Sequence, residues 1–489
     1  MGVVLSASPD VWTDKIYSGG WVAPGGGVAE VTDKATGAVI GSMGVASADD
    51  VRTAAVTARA AQAEWATVPG PKRGDVLREF SRLLLENADE IAAQIVRETG
   101  SIAAKAAWEV HMTAREVLEA ANLGSEPTGI IAASAEVGRH SVARRIPIGV
   151  VSIITPWNSP FLLASRAVAP ALATGNAVLL KPDPQTPIAG GALFAYLFEK
   201  AGLPAGLLHV LPGGVETGEA VVADEGVDMV SFTGSTRAGR LIGATAGGQL
   251  KRVSLELGGN NPYIVLDDVD VEAAASAGAW GSFFHQGQIC LTTGRHLVHA
   301  GVVDAYTDAL VAHARKLVVG DPSDGKVQLG PIINERQAAN VDRILAESLE
   351  QGAVLLTGGT RDGLFYQPTV VTGVKPGMPL FDEEIFGPIA AITVVADDEE
   401  AVRLANQTSY GLASAVAGAD LARAQRVADR IRTGVVHIND QTVLHEVYGP
   451  IGGIGVSGNG FNHSTLTNAD QFTEWQWVTT RTEIPAYPF

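Results

Sequence analysis

The chain of 489 residues contains one cysteine, Cys290, within Phe284-His285-Gln286-Gly287-Gln288-Ile289-Cys290-Leu291. A lone thiol is either a small buried hydrophobe or a nucleophile, the second where a cation or a helix N-terminus favours the thiolate. Upstream, Glu256 interrupts an apolar run in Leu255-Glu256-Leu257-Gly258-Gly259. A carboxylate there is either ion-paired or carries a raised pKa suited to taking a proton. Together the two residues point to a thiol nucleophile served by a general base.

Three further stretches follow short apolar runs. In Thr155-Pro156-Trp157-Asn158-Ser159-Pro160, the Asn158 amide can donate to a developing oxyanion or cap a helix. Lys181, in Val178-Leu179-Leu180-Lys181-Pro182-Asp183-Pro184, lies just past a strand, where parallel sheets bind ligands; the alternative is a solvated lysine. Phe232-Thr233-Gly234-Ser235-Thr236-Arg237-Ala238-Gly239 closes a strand and opens a helix. The free N–H groups of such a turn attract phosphate. Its glycines do not follow the G-x-G-x-x-G spacing, so an ordinary turn reads equally well.

These residues need a frame to hold them. Asp49 or Asp50 caps an alanine-rich helix running to about Ala66. Helices over 72–87, 89–99 and 101–122 follow, with Gly100 ending the second of these. From 148 the pattern becomes strand–helix–strand, with strands at 149–154, 177–180, 207–211 and 229–232 and helices near 160–173, 187–201 and 215–224. The same mode returns with strands near 263–266, 296–299, 391–395 and 434–438. This alternation predicts α/β architecture with parallel sheets covered on both faces. Residues 136–145 and 472–479 alternate as exposed ribbons, whose open edges a partner could cover.

Composition narrows the function. A net charge of −18 disfavours nucleic acid as a partner. One cysteine permits no internal disulfide, which fits a reducing, cytoplasmic setting. No apolar run is long enough for a membrane span, and the start lacks a signal-peptide pattern. Residues 1–6 match the myristoylation pattern M-G-x-x-x-[ST], a short pattern that matches often by chance. No metal ion is called for.

Taken together, the motifs resemble those of the aldehyde dehydrogenase superfamily. The matching stretches are Pro156-Trp157-Asn158, Lys181-Pro182, Phe232-Thr233-Gly234-Ser235, Leu255-Glu256-Leu257-Gly258-Gly259, Gly287-Gln288-Ile289-Cys290 and Glu383-Glu384-Ile385-Phe386-Gly387-Pro388, in the family's order. Pro450-Ile451-Gly452-Gly453 and Ser457-Gly458-Asn459-Gly460 extend the likeness. Gly278-Ala279-Trp280-Gly281, His285-Gln286-Gly287 and His437-Ile438-Asn439-Asp440 are similar to the benzaldehyde dehydrogenase branch.

The resemblance implies an aldehyde dehydrogenase-like fold. It has a Rossmann-type dinucleotide-binding domain (1–126 and 148–255), an α/β catalytic domain (256–469) and a small β oligomerisation ribbon (127–147 and 470–489). It implies NAD as cofactor, an aromatic aldehyde as substrate, and a homodimer or homotetramer. Cys290 would attack the aldehyde, Asn158 hold the oxyanion and Glu256 activate water. Trp157, Lys181, Gly234, Ser235, Glu384 and Phe386 would hold the dinucleotide.

The sequence departs from the family pattern at Pro184, where many relatives carry a ribose-binding glutamate, so NADP stays open. It departs also at His285, Asn462 and Ile451. A substrate tunnel walled by Trp157, Phe161, Phe284, Ile289, Leu291 and Ile451 is expected. No cation stands among these residues, so a semialdehyde carboxylate would lie there unpaired. Two other readings are a dehydrogenase passing its acyl group to coenzyme A and a catalytically silent relative. The intact Glu256, Cys290 and Asn158 count against them.

Overall fold

The computed structural model describes residues 9–488. The myristoylation pattern at residues 1–6 lies outside the described residues. Two seven-stranded sheets form the body of the chain. Across the first, the parallel strands are Arg252–Glu256, Met229–Thr233, Val150–Ile154, Ala177–Lys181 and Leu208–Val210. The antiparallel pair Ile16–Ser18 and Trp21–Val22 extends the far edge.

The chain enters this parallel set at its middle strand, Val150–Ile154, runs outward through Ala177–Lys181 and Leu208–Val210, then returns to the other side. The direction therefore reverses between Val150–Ile154 and Met229–Thr233. A crevice opens beyond the carboxyl ends of strands at such a reversal, and ligands bind there. Val150–Ile154 and Ala177–Lys181 are buried along their whole length. Helices Ala48–Trp65 and Pro160–Ala173 both pack on them, so neither face can alternate with polar residues.

The helical layer Gly70–Glu86, Ala88–Thr99 and Ala103–Asn122 packs outside Pro160–Ala173. Gly100 ends the second of these helices in the left-handed conformation, as its position predicts. The cap of Ala48–Trp65 differs from the expected Asp49 or Asp50. Ser47 is the N-cap, and Asp50 completes a capping box by accepting from the Ser47 N–H.

The second sheet holds Asn261–Val265, Thr293–His299, Thr369–Thr372, Ile389–Val395, Ala413–Ala417 and Val435–Ile438 in parallel, with Val354–Thr357 antiparallel at one edge. The strand ending at Glu256 and the strand beginning at Asn261 are joined only by Leu257-Gly258-Gly259-Asn260. The carboxyl ends of the first sheet thus face the amino ends of the second. No helix among the described residues is long and apolar enough to cross a membrane.

Strand Arg252–Glu256 lies at an edge, and an edge strand needs partners for its outer amides. Residues far along the chain supply them. Asn459 accepts from Leu255 N–H at 2.9 Å and donates to the Val253 carbonyl at 2.8 Å. Leu257 N–H donates to the Ser457 carbonyl, and Gln471 donates to Ser254 Oγ. Phe472 joins the core of the first sheet.

From there the chain enters Thr473–Thr480, which pairs antiparallel with His140–Pro147, itself paired with Gly129–Ile131. Ile131 and Trp477 stand 90% and 70% exposed on this ribbon.

Replacing Asn459 by Ala removes both edge bonds. We expect a loss of about 1–2 kcal/mol, near 1 kcal/mol per hydrogen bond. Asn459→Asp keeps the acceptor and should lose roughly half of that. Urea midpoints of the two variants against the parent check this, and an unchanged Asn459→Ala midpoint would contradict it.

Candidate active site

Helix Val271–Phe283 ends in a turn over Phe284–Gly287, and Cys290 follows. His285, Gln286 and Gly287 all take positive φ, +50°, +56° and +66°. For His285 and Gln286 that conformation costs of order 1–3 kcal/mol each and persists only where surrounding bonds enforce it. Gln286 donates to the carbonyls of Gly100 and Pro331, both at 2.9 Å. Gln288 accepts from Ile333 N–H at 2.9 Å. A Cβ on Gly287 would lie 2.2 Å from the Gly387 carbonyl, so only glycine fits. On the far side the Asn261 amide donates to the carbonyls of Cys290 and Thr292, at 2.8 and 2.7 Å, and accepts from Ala413 N–H. The thiol is thus held from both directions in the gap between the sheets.

Two cavities meet at this thiol. One, of about 430 Å³, is bordered mainly by apolar side chains; the other, of about 280 Å³, reaches the Gly234 and Ser235 turn. Asn158, Glu256 and Cys290 border both. Glu256 is buried, and its Oε1 has no hydrogen-bond partner among the described residues. Burial raises its pKa well above the ordinary carboxylate range, opposed only by the positive charge of Arg166. Burial also pushes the Cys290 thiol up to about 12; Arg166 pulls it down, while Glu384 and Glu256 push it further up.

Asn158 donates to the Gln288 carbonyl at 2.9 Å, which leaves its second amide N–H uncommitted. Its backbone is fixed by an ion pair absent from the sequence reading. Lys105 donates to the Asn158 carbonyl at 2.7 Å and to Glu109 Oε2. Glu109 Oε1 accepts from the N–H groups of Phe161 and Leu162, at the start of helix Pro160–Ala173. Both side chains are buried, 1% and 0% exposed.

Around the second cavity, Ser235 caps helix Thr236–Gly248, and Gly234 N–H donates to the Glu256 carbonyl at 3.0 Å. A Cβ on Gly234 would lie 2.5 Å from the Phe232 ring. The rings of Trp157 and Phe386 meet edge-on at 5.5 Å. Glu384 accepts from Gly259 N–H at 3.0 Å, and burial raises its pKa to about 7. A Cβ on Gly258 would fall 2.1 Å from the Glu384 carboxylate.

Lys181 is the last residue of its strand rather than just past it; its ammonium donates to the Pro182 carbonyl and does not border the cavities at the thiol. Asp183 is turned toward Gln185, accepting from its N–H at 2.9 Å.

Of the expected tunnel wall, Phe284, Ile289, Leu291 and Ile451 border the larger cavity. Trp157 borders the smaller one. Phe161 does not line a tunnel. It is fully buried and packs on Phe194 at 4.4 Å, because the first turn of its helix directs it into the core. The expectation of a wall without cations is also corrected, since Lys105 and Arg166 border the larger cavity. A single arginine inside the apolar run Phe161-Leu162-Leu163-Ala164-Ser165-Arg166-Ala167-Val168 was a usable signal, since an unpaired buried cation is rare.

A thiol, an unpartnered carboxylate and a free amide N–H thus converge where an apolar cavity meets a strand-to-helix crevice. The profile of the Aldehyde dehydrogenase family matches residues 21–478. The chain belongs to the aldehyde dehydrogenase family. It is therefore an oxidoreductase acting on aldehydes.

It is 47% identical to the benzaldehyde dehydrogenase [NAD(+)] of Pseudomonas putida, over 98% of this chain and 98% of that protein. It is 48% identical to a vanillin dehydrogenase of an Amycolatopsis species, again over 98% of each. Among solved structures, a Staphylococcus aureus betaine aldehyde dehydrogenase in complex with NAD+ superposes with a TM-score of 0.94 at 30% identity, covering 97% of this chain and 96% of that one.

In this dehydrogenase, Lys105→Met leaves the Glu109 carboxylate buried without its cation, which should cost about 3–5 kcal/mol of stability. Adding Glu109→Gln should return part of that loss while the Asn158 tether stays broken. A double-mutant cycle in urea reads both effects; a single-variant loss below about 1 kcal/mol would refute the tether.

Proposed function

We propose that the enzyme oxidises aromatic aldehydes to carboxylic acids with NAD, through intermediates covalently held on Cys290. The observation that carries this is the junction of the two cavities at Cys290, Glu256 and Asn158. Phe284, Ile289, Leu291 and Ile451 suit a flat ring held by dispersion and edge contacts. The benzaldehyde and vanillin dehydrogenases to which the chain is similar support the same substrate class.

The lining of the smaller cavity suits the nicotinamide and pyrophosphate part of a dinucleotide. The cavity ends on the N-terminus of a helix of 13 residues, and a glycine packed against Phe232 keeps the turn free of a side chain. Gly234 and Ser235 would hold the pyrophosphate, Glu384 the nicotinamide ribose, with Trp157 and Phe386 beside it and Lys181 toward the adenosine ribose. When bound, NAD supplies the hydride acceptor.

The chain's own residues do the rest. The Cys290 thiol gives its proton to solvent, its sulfur attacks the aldehyde carbon, and the carbonyl oxygen becomes an oxyanion held by the free Asn158 N–H and the Cys290 backbone N–H. Collapse of the oxyanion breaks the C–H bond, the hydrogen would leave as hydride to the acceptor that NAD supplies when bound, and the acyl group is left as a thioester on Cys290. Glu256 takes a proton from water, and the hydroxide formed releases the acid and frees the sulfur. The first sheet and its helices would form the dinucleotide domain, the second sheet the catalytic domain. The ribbon of 127–147 and 470–489 would pair subunits through its exposed Ile131 and Trp477.

Cys290→Ala should abolish turnover and keep NAD binding, whereas Glu256→Gln should give one equivalent of NADH in a burst followed by a slow steady phase. Glu256 acts as a base only when deprotonated, and its raised pKa places the rising limb of the steady rate above the ordinary carboxylate range. That limb should vanish in Glu256→Gln. Stopped-flow absorbance across pH decides, and a wild-type steady rate in either variant would refute the assigned role.

Pro184 cannot grip a ribose hydroxyl, and Asp183 is engaged by Gln185, so discrimination between cofactors should be modest. No arginine or lysine stands in 183–187 to pair a 2′-phosphate, so NAD should still lead. The check is kcat/KM for the two cofactors; a preference for NADP above about tenfold would overturn this reading.

A further inference from the structure

Two halves of the chain meet across the smaller cavity. The first-sheet half contributes Gly234 and Ser235, where helix Thr236–Gly248 begins. The second-sheet half contributes Arg336, Gln337 and Asn340, from the first turns of helix Glu335–Glu350. Asn334 caps that helix by accepting from Gln337 N–H at 2.9 Å. Two helix N-termini thus border one crevice, and each brings the positive end of a helix dipole. Gln337 is committed: its amide donates to the Ile385 and Phe386 carbonyls at 3.2 and 3.0 Å, where Phe386 holds a φ of +51°.

Arg336 is not committed. Glu335 and Asp342 are taken by Arg361, and Glu347 and Glu383 by Arg343. Arg336 is exposed and makes no ion pair or side-chain hydrogen bond among the described residues. Among those residues it is also the only cationic side chain that borders the smaller cavity. A net charge of −18 works against the approach of any dianion, and a cation at this crevice offsets that locally.

We propose that Arg336 clamps the pyrophosphate of the dinucleotide from the second-sheet side, opposite the Ser235 turn. This rests on the dinucleotide reading of the smaller cavity given above. The turn N–H groups would serve one flank of the pyrophosphate, and the guanidinium fork, which matches two phosphate oxygens at once, the other. The two ends of the dinucleotide suit Arg336 less well. Glu384, assigned to the nicotinamide ribose, accepts from Gly259 N–H and forms no ion pair with Arg336. Lys181 and Pro184, at the adenosine-ribose end, do not border this cavity. Because Ser235 and Arg336 belong to different halves, the pyrophosphate would bridge the two sheets beside Cys290.

The experiment titrates wild type, Arg336→Gln and Arg336→Lys with NADH, NADPH and ADP-ribose, and reads Kd by fluorescence or calorimetry rather than turnover. ADP-ribose keeps the pyrophosphate and lacks the nicotinamide. Arg336→Gln should weaken all three by one common factor of roughly tenfold, the size of a hydrogen bond to a charged group in a partly solvated site. Added salt should weaken NADH binding more steeply in the wild type than in Arg336→Gln, because the variant has lost a charge pair that salt screens. Arg336→Lys keeps the charge and loses the planar fork, so it should recover part of the loss. Urea midpoints should match the wild type, since the side chain is exposed and unpaired. An unchanged ADP-ribose Kd in Arg336→Gln would overturn the clamp. A loss confined to NADPH would overturn it too, by placing the guanidinium at the 2′-phosphate. A wild type that binds neither NADH nor ADP-ribose would instead sink the dinucleotide reading of the cavity, which separates the two failures.

Discussion

A buried carboxyl group, one oxygen of which has no hydrogen-bond partner among the described residues, is the constraint on which this structure turns. Glu256 is largely withdrawn from solvent, and burial raises its proton affinity. It has to stay within reach of Cys290 while its Oε1 is bonded by none of the described residues. Only its backbone can position it. That backbone is the last residue of an edge strand, tied inward to Met229–Thr233 and outward to Gly458 and its neighbours.

The same logic governs Asn158 and Cys290. Each presents its working atoms to the cavity and is fixed by other groups. Asn158 is set through its carbonyl by Lys105, and Cys290 through its carbonyl by Asn261. The helical layer, which supplies Lys105 and Glu109, is thus part of the site although it contributes no reacting group. A buried ion pair is weak support for stability, since desolvation offsets the attraction. Here its four bonds align a loop and a helix start in a single arrangement.

Much of this was legible in the sequence, and the exceptions have physical reasons. Val150–Ile154, Ala177–Lys181 and Met229–Thr233 announce themselves by β-branched and leucine-rich runs. Ala413–Ala417 is as deeply buried, yet its Ala-Ser-Ala-Val-Ala composition carries little strand preference, so the sequence does not mark it. Cys290, Glu256 and Asn158 stood out because the residue types can do chemistry. Lys105 and Glu109 carry only an i, i+4 spacing, which does not say which face of a helix is covered. Phe161 is a related case: an aromatic beside the motif suggests a tunnel wall, while the helix phase turns it to the core. Glu116 and His445 are far apart in the chain, and only the fold brings them to Arg166.

The clamp on strand Arg252–Glu256 bears on how the protein is made. Leu255 and Asn459 are separated by 204 positions. A ribosome adding 5–20 residues per second needs roughly 10–40 s to cover that distance. For that interval the nascent first sheet exposes a raw edge, with Val253 and Leu255 on it, while the second sheet is still being synthesised. Misassociation during translation is therefore a hazard this topology creates, and the nascent edge has to be shielded until residues 457–459 emerge to cover it.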